Sequence, residues 1–325
     1  MRASEQPPRS PLREVGEGPG VRSTTAPEGS IARFFAVTFG WSWSVGAACW
    51  AAGGYGDNAS LGHLAWGFAF MMGPTLGALV ATRGMPWPAR RAALGLTMPR
   101  ARWMAVAWLI PFTMIVVATL ASTLLPGVRL RWPSEGLVEQ MLLLSTPEKA
   151  QKVADLPPWL LSAGLLSQAL TGSLFNVPFM LSEELGWRGV LWASWQRLGF
   201  WPNALATGLV WGVWHAPLIA LGHNYPGMPL AGSLLMVAFC LLLTPPLHWV
   251  RENGGSVWHA ALFHGTVNGT TMLGILCLVA PDWRGRGITG LAGLAVLLVA
   301  SVVTALVRRR RDPTHPPPDA AGGGV

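Results

Sequence analysis

Charged side chains are scarce in this sequence. Only 12% of its 325 residues are Asp, Glu, Lys or Arg, whereas soluble domains average about 25%. Hydrophobic residues make up 51% and the mean hydropathy is +0.40. This balance excludes an ordinary soluble domain and predicts an integral membrane protein.

Lysine and cysteine are also nearly absent. The only lysines are Lys149 and Lys152, so arginine supplies almost all of the net charge of +8. The arginines cluster in short segments between apolar stretches, which is typical of cytoplasmic loops and not of a nucleic-acid-binding surface. Cys49, Cys240 and Cys277 lie in apolar segments without a close-spaced metal motif, and we interpret them as unpaired packing residues.

Uncharged stretches long enough to cross about 30 Å of hydrocarbon occur eight times between the two ends of the chain. Their continuous apolar character favours helices over a barrel, because barrel strands alternate every second residue. The sequence therefore predicts an all-α, polytopic transmembrane helix bundle. The predicted spans are 34–54, 60–82, 103–125, 159–182, 203–222, 229–250, 255–279 and 287–307.

Arginine placement predicts the orientation of this bundle. The 83–102 loop and the Arg308 to Arg311 cluster are strongly basic, so both are assigned to the cytoplasm together with both termini. Residues 1–30 and 308–325 are predicted to be cytoplasmic tails, the first of them disordered, around a membrane domain at 31–307. Segment 127–157 is predicted to include an amphipathic helix on the outer surface.

Two adjacent glutamates follow an apolar stretch that has no formal charge from Leu156 to Ser182. Glu184 and Arg188 are four residues apart, so on a helix they share a face and are predicted to form an ion pair. Glu183 lies about 100° round the helix. It is left free to face a cavity and to act as a general base.

Two later spans carry the remaining candidate residues, which are His215 in the first and His264 with Asn268 in the second. Ionisable groups at membrane depth cost roughly 2.5–3.5 kcal/mol each, and they usually face an interior cavity and carry function. A carboxylate and an imidazole can deprotonate a water, while a second imidazole and an amide stabilise an oxyanion.

A divalent metal such as zinc is the alternative use of these side chains. Glu183, His215 and His264 are of the types that bind zinc with an open coordination position. Asparagine is a poor zinc ligand, which slightly favours the arrangement without a metal. Each polar group alone also has a simpler interpretation, as the end of a span or as an interhelical hydrogen-bonding residue.

Several other protease chemistries lack their residues in this chain. There is no His-Glu-x-x-His helix for a zinc protease and no Gly-x-Ser-Gly serine motif. All aspartates lie outside the predicted spans, which excludes an intramembrane aspartyl dyad. Both lysines lie in the outer loop, which argues against an intramembrane Ser-Lys dyad. A glutamate-histidine site remains.

The three motifs resemble those of the CPBP intramembrane proteases, also called the Abi or type II CAAX prenyl endopeptidase-like family. Glu183-Glu184-x-x-x-Arg188, Trp211-x-x-x-His215 and His264-x-x-x-Asn268 match in order, with Trp211 where Phe is more frequent. The resemblance covers about residues 155–280. It implies an endopeptidase in which Glu183 and His215 activate water, His264 and Asn268 stabilise the oxyanion, and Glu184 and Arg188 support them.

The resemblance leaves the substrate open. Eukaryotic relatives cut prenylated CAAX tails, whereas many bacterial members resemble bacteriocin immunity or maturation proteins. The excess of arginine over lysine indicates a GC-rich bacterial genome, so the predicted substrate is a peptide or membrane-associated protein at the bacterial plasma membrane. The alternative is a non-catalytic membrane protein, either an immunity or scaffold protein or a transporter. The absence of an evident internal repeat weighs against the transporter.

Overall fold

The computed structural model describes residues 29–54 and 61–310. The predicted tails at 1–30 and 308–325 lie almost entirely outside these residues. The described part is an all-α membrane helix bundle, as the sequence predicts, with one small antiparallel strand pair, β1 Arg129–Leu130 and β2 Leu278–Val279.

The helices follow one another along the chain with short connections. They are α1 Ser30–Ala51, α2 Leu61–Ala81, α3 Trp87–Ala93, α4 Ala101–Ser122, α5 Pro133–Leu144, α6 Pro147–Ala154, α7 Pro158–Glu184, α8 Trp192–Ser194, α9 Phe200–Trp214, α10 Ala216–Ala220, α11 Pro229–Gly254, α12 Val257–Leu276 and α13 Leu291–Arg309. A π-helix, Leu185–Leu191, joins α7 to α8, and short 3₁₀ turns occupy Gln196–Leu198, Trp283–Gly285 and Gly287–Thr289.

Every predicted span contains a helix, but within the described residues four helical segments are long and apolar enough to cross a membrane. These segments are Ala101–Ser122, Pro158–Ser194, Pro229–Gly254 and Leu291–Arg309. The predicted span 203–222 is divided between α9 and α10, and the 15 residues of α9 extend only about 22 Å. The count of eight spans therefore stays a prediction.

One end of the bundle carries the basic loop between α2 and α4. We call it the basic end, and define it by residues 83–100, 251–256 and 308–310. The Val257 amide donates to Gly95 O at 2.9 Å, and the Thr97 hydroxyl donates to Gly255 O at 2.7 Å. These bonds attach the basic loop to the turn between α11 and α12.

The opposite end, which we call the far end, consists of residues 127–132, 221–228 and 277–290. Here β1 pairs with β2, and the Tyr225 hydroxyl donates to Thr289 O at 2.9 Å. Helices α5 and α6 follow β1 in the segment where the sequence predicts a surface helix. The side chains of Leu142 and Leu143 are exposed on α5, and their placement in the outer membrane surface stays a prediction.

Prolines within two helices release backbone carbonyls that neighbouring hydroxyls then satisfy. Proline has no N–H, so the carbonyl four residues before it loses its helical partner. Ser42 Oγ donates to Phe70 O, four residues before Pro74, at 2.8 Å. Ser301 Oγ likewise donates to Leu242 O, four residues before Pro246, at 2.7 Å. Such replacement bonds allow proline inside apolar helices.

Candidate active site

The two adjacent glutamates at the end of α7 are both buried and turn to different partners. Glu183 is 3% exposed, and its Oε2 accepts a hydrogen bond from Trp211 Nε1 at 2.9 Å. Glu184 is fully buried, and its Oε1 lies 2.9 Å from Arg188 Nη1. The ion pair expected from the spacing of Glu184 and Arg188 is therefore present.

Arg188 is completely buried, and several groups of the surrounding helices contact it. Its Nη2 donates to Thr244 Oγ1 at 3.2 Å, and its Cζ lies 4.4 Å from the centroid of the Trp211 ring. Its carbonyl accepts from Arg251 Nε at 2.9 Å. A buried guanidinium needs such partners because an unpaired buried charge is very costly.

The backbone changes from α-helix to π-helix directly after Glu184. The π-helix covers Leu185–Leu191 and therefore contains Arg188. Short π segments are rare and are frequently found at functional sites. Gly189 lies in this segment, and a Cβ there would come within 2.8 Å of Leu94 O, so glycine allows the π-helix to pack against the basic loop.

His264 is held by the second glutamate. Its Nδ1 lies 2.9 Å from Glu184 Oε1, so Glu184 joins Arg188 to His264 through one oxygen. The ring of His264 also meets the Trp211 ring edge-on at 5.0 Å between centroids. Because a carboxylate only accepts, Nδ1 is the donor, and the Nε2 atom remains for other contacts.

His215 is oriented in a similar way by a backbone carbonyl. Its Nδ1 donates to Trp211 O at 2.8 Å, and the side chain is 7% exposed. The residue lies between α9 and α10, where the helix is interrupted. The interruption and the hydrogen bond fix the direction of the imidazole.

Asn268 lies one turn after His264 on α12 and is exposed at the edge of the site. Its Nδ2 lies 3.0 Å from Met180 Sδ on α7. A thioether is a weak acceptor, so the amide of Asn268 keeps most of its donor capacity for another partner.

All four predicted catalytic side chains, Glu183, His215, His264 and Asn268, line one cavity of about 300 Å³. We call it the site cavity. Most of its wall is apolar. Its other lining residues are Gly67, Met71, Trp211, Leu218, His223, Asn224, Met236, Phe239, Leu243, Val267, Thr271, Met272, Ile275 and Thr289.

The site cavity extends away from the basic end. His223, Asn224 and Thr289 line it and belong to the far end, whereas Glu183 lies five residues before Arg188, which binds the basic-end Arg251. The sequence predicts a cavity that opens toward the cytoplasm, because the predicted span 159–182 ends at Glu183 while His215 and His264 lie part-way along their spans. The side of the membrane toward which the cavity opens stays a prediction.

The contacts that connect the three motifs to each other could not be read from the sequence. Trp211 on α9 donates to Glu183 on α7. The bond from His264 to Glu184 and the bond from Arg188 to Thr244 join different helices. His259 is buried on α12, and its Nε2 accepts from the Arg100 amide at 3.1 Å.

The histidines and acids of the described ranges do not form a ready metal centre. Within residues 29–54 and 61–310, no three His, Cys, Asp or Glu side chains form a group that could hold a metal ion. The zinc alternative with Glu183, His215 and His264 therefore lacks a preformed ligand set, and we derive no reaction step through a metal.

One segment of the chain is similar to a known family. Residues 160–270 match the family model described as type II CAAX prenyl endopeptidase, Rce1-like. The match covers the three motifs and confirms the predicted relation to the CAAX protease family. It supports an integral membrane protein with intramembrane CAAX protease activity in general terms. None of the curated proteins compared with the chain matches it.

Proposed function

We propose that this chain, a member of the CAAX protease family by its core segment, is an endopeptidase that hydrolyses a peptide bond inside the membrane with a glutamate-activated water. The observation that carries the proposal is the placement of Glu183, His215, His264 and Asn268 around one largely apolar cavity. An apolar wall accepts a hydrophobic peptide segment, while a few convergent polar groups act on one bond.

Glu183 is the proposed general base. Trp211 binds its Oε2, while no hydrogen bond from the part of the chain that the structure describes reaches its Oε1. Oε1 is thus available to take a proton from a water held between Glu183 and His215. The hydroxide attacks the peptide carbonyl, and the proton then passes to the leaving amine, so that no net proton is consumed.

His264 and Asn268 are the proposed oxyanion donors. Hydrogen bonds to a developing negative charge are strongest where water is excluded. In this role His264 donates to Glu184 through Nδ1 and to the oxyanion through Nε2.

Replacing the amide donor should slow catalysis without removing the base. We expect Asn268→Ala to lower kcat by about 10²–10³-fold, the usual cost of one oxyanion donor. KM should change little, because the bond strengthens mainly in the transition state. Peptide cleavage by the purified variant measures both constants.

Thr266→Ala is a suitable control, since Thr266 also lies on α12, does not line the site cavity, and donates to Leu262 O of its own helix at 2.8 Å. A loss in Asn268→Ala no larger than in this control would contradict the oxyanion role.

The proposed substrate is a peptide or membrane-associated protein, and no nucleic acid takes part. His223 and Asn224 line the site cavity beyond the catalytic groups. Among the non-glycine residues that the structure describes, Asn224 alone has a left-handed backbone, with φ at 58°. Such conformations cluster at ligand-binding sites, which supports contact of this loop with the substrate.

We also propose that the chain lies in a bacterial plasma membrane with both termini in the cytoplasm. The basic end then faces the cytoplasm, in agreement with the positive-inside rule. Reporter fusions after residues 95 and 312 should both give cytoplasmic signals. An external signal from either fusion would reverse the orientation.

A non-catalytic immunity, scaffold or transport protein remains the competing function. Under this alternative the purified wild-type protein would cleave no peptide, and replacing the polar groups of the site cavity would change nothing in a cleavage assay. A cleavage assay with the purified protein therefore separates the two functions.

A further inference from the structure

A histidine outside the proposed active site is buried without a hydrogen-bonding partner. His248 lies in α11 and is 0% exposed. Within the described residues, neither of its ring nitrogens has a hydrogen-bond partner. Buried polar groups are nearly always paired, so an unpaired imidazole requires an explanation such as an absent ligand or water.

His248 lines a second cavity, of about 380 Å³, which we call the basic-end cavity. Its walls come from α8, α9, α11 and the turn between α8 and α9. The lining residues are Trp192, Gln196, Gly199, Phe200, Asn203, His248 and Glu252.

The basic-end cavity has an exposed mouth and a buried floor. Gln196, Gly199 and Glu252 are exposed, and the Glu252 side chain is 40% accessible. His248, one helical turn before Glu252, and Asn203 are buried. Asn203 is already engaged, because its Nδ2 donates to Trp192 O at 3.1 Å and its Oδ1 accepts from Thr207 at 3.2 Å. The imidazole is therefore the unpaired polar group at the floor.

Positive charge borders this cavity on two sides. The Arg308 guanidinium pairs with Glu252 and lies 3.8 Å from the centroid of the Phe200 ring. The Arg251 guanidinium lies 4.3 Å from the centroid of the Trp192 ring. One carboxylate against two guanidinium groups leaves a positive surplus, which favours an anion over a metal cation.

We propose that the basic-end cavity binds the phosphate group of a phospholipid headgroup, with Arg308 and His248 as donors. Arginine matches phosphate oxygens through its forked N–H groups. Leu198, Leu205 and Leu209, close in sequence to the lining residues, are between 46% and 51% exposed. Leu198 directly precedes Gly199 at the mouth, and Leu205 and Leu209 continue along α9, so these exposed leucines can contact acyl chains, which favours a lipid over free phosphate.

The test is native mass spectrometry of the purified full chain in detergent. The probes are a phosphatidylglycerol, a diacylglycerol with the same acyl chains, and inorganic phosphate. We expect phosphatidylglycerol to bind and the diacylglycerol to bind far more weakly. Arg308→Ala and His248→Phe should each weaken phosphatidylglycerol binding about 5-fold, or about 1 kcal/mol.

Arg83→Ala is the matched control for charge, because Arg83 is an exposed arginine of the basic end, whereas Arg308 contacts the lining residues Glu252 and Phe200. It should bind phosphatidylglycerol like the wild type. Glu252→Gln should bind more tightly than the wild type, since it removes a negative charge next to the phosphate. A misfolded variant cannot produce this gain.

Two results would overturn the proposal. The first is equal phosphatidylglycerol affinity in the wild type, Arg308→Ala and His248→Phe, with no gain in Glu252→Gln. The second is binding of inorganic phosphate with no binding of phosphatidylglycerol, which would assign the cavity to a soluble anion. Displacement of the lipid by excess inorganic phosphate supports recognition of the phosphate group. The proposal does not depend on peptidase activity.

Discussion

A Glu183→Gln variant is expected to lose peptide cleavage by roughly 10²–10⁴-fold, the usual contribution of a general base. Glutamine preserves the shape of the side chain, and its amide oxygen can still accept the hydrogen bond from Trp211. It cannot take a proton from the attacking water. The measurement is the initial rate of cleavage of a peptide substrate by purified protein in detergent or liposomes.

Two comparisons make this result specific to Glu183. Glu148→Gln makes the same chemical change at an exposed position of α6 and should cleave like the wild type. Trp211→Phe removes the donor to Glu183 Oε2 while keeping an aromatic ring. It should show a smaller loss than Glu183→Gln, because the carboxylate remains but is held less firmly.

Replacement of either member of the Glu184–Arg188 pair is expected to destabilise the fold. Both side chains are fully buried, and removal of one partner leaves an uncompensated charge that costs roughly 3–5 kcal/mol. Glu184→Gln also takes away the carboxylate that orients His264. The free energy of unfolding in mixed micelles, measured by titration with a denaturing detergent, reports the loss.

A double variant distinguishes a charge effect from simple loss of packing. Glu184→Gln combined with Arg188→Met removes both charges and should be more stable than either single variant. Glu139→Gln disrupts an ion pair in which the glutamate is 57% exposed and should change stability by less than about 1 kcal/mol. Single variants of the buried pair that match this control would contradict the account.

Local spacing explains what the sequence predicted correctly. The helical segments follow from uncharged runs, and the Glu184–Arg188 contact follows from a separation of four residues. Both features depend only on residues that are close together in the sequence. The all-α class follows from hydropathy, and the resemblance of residues 160–270 to the CAAX endopeptidase family model follows from three ordered motifs.

Contacts between helices explain what the sequence could not predict. The bonds of Trp211 to Glu183 and of Glu184 to His264 depend on how α7, α9 and α12 pack together. The π-helix after Glu184 has no strong local signal, although Gly186 and Gly189 permit its close packing. The loop after α10 contributes His223 and Asn224 to the lining of the site cavity. This contact depends on tertiary packing and not on local sequence.

Hydropathy also explains why the number of spans stays a prediction. Helix α12 has 20 residues, but it carries two histidines, an asparagine and several threonines. These polar residues, which include the candidate site residues His264 and Asn268, lower its hydropathy. The same groups that support a function thus weaken the membrane signal of the helix.

The most direct test of the central claim is peptide cleavage by purified wild-type protein compared with Glu183→Ala, each with and without a metal chelator. The account predicts new peptide termini with the wild type, none above background with Glu183→Ala, and no effect of the chelator. Loss of wild-type activity with chelator and recovery with added zinc would contradict the metal-free mechanism. Equal cleavage by folded Glu183→Ala would contradict the glutamate-based active site itself.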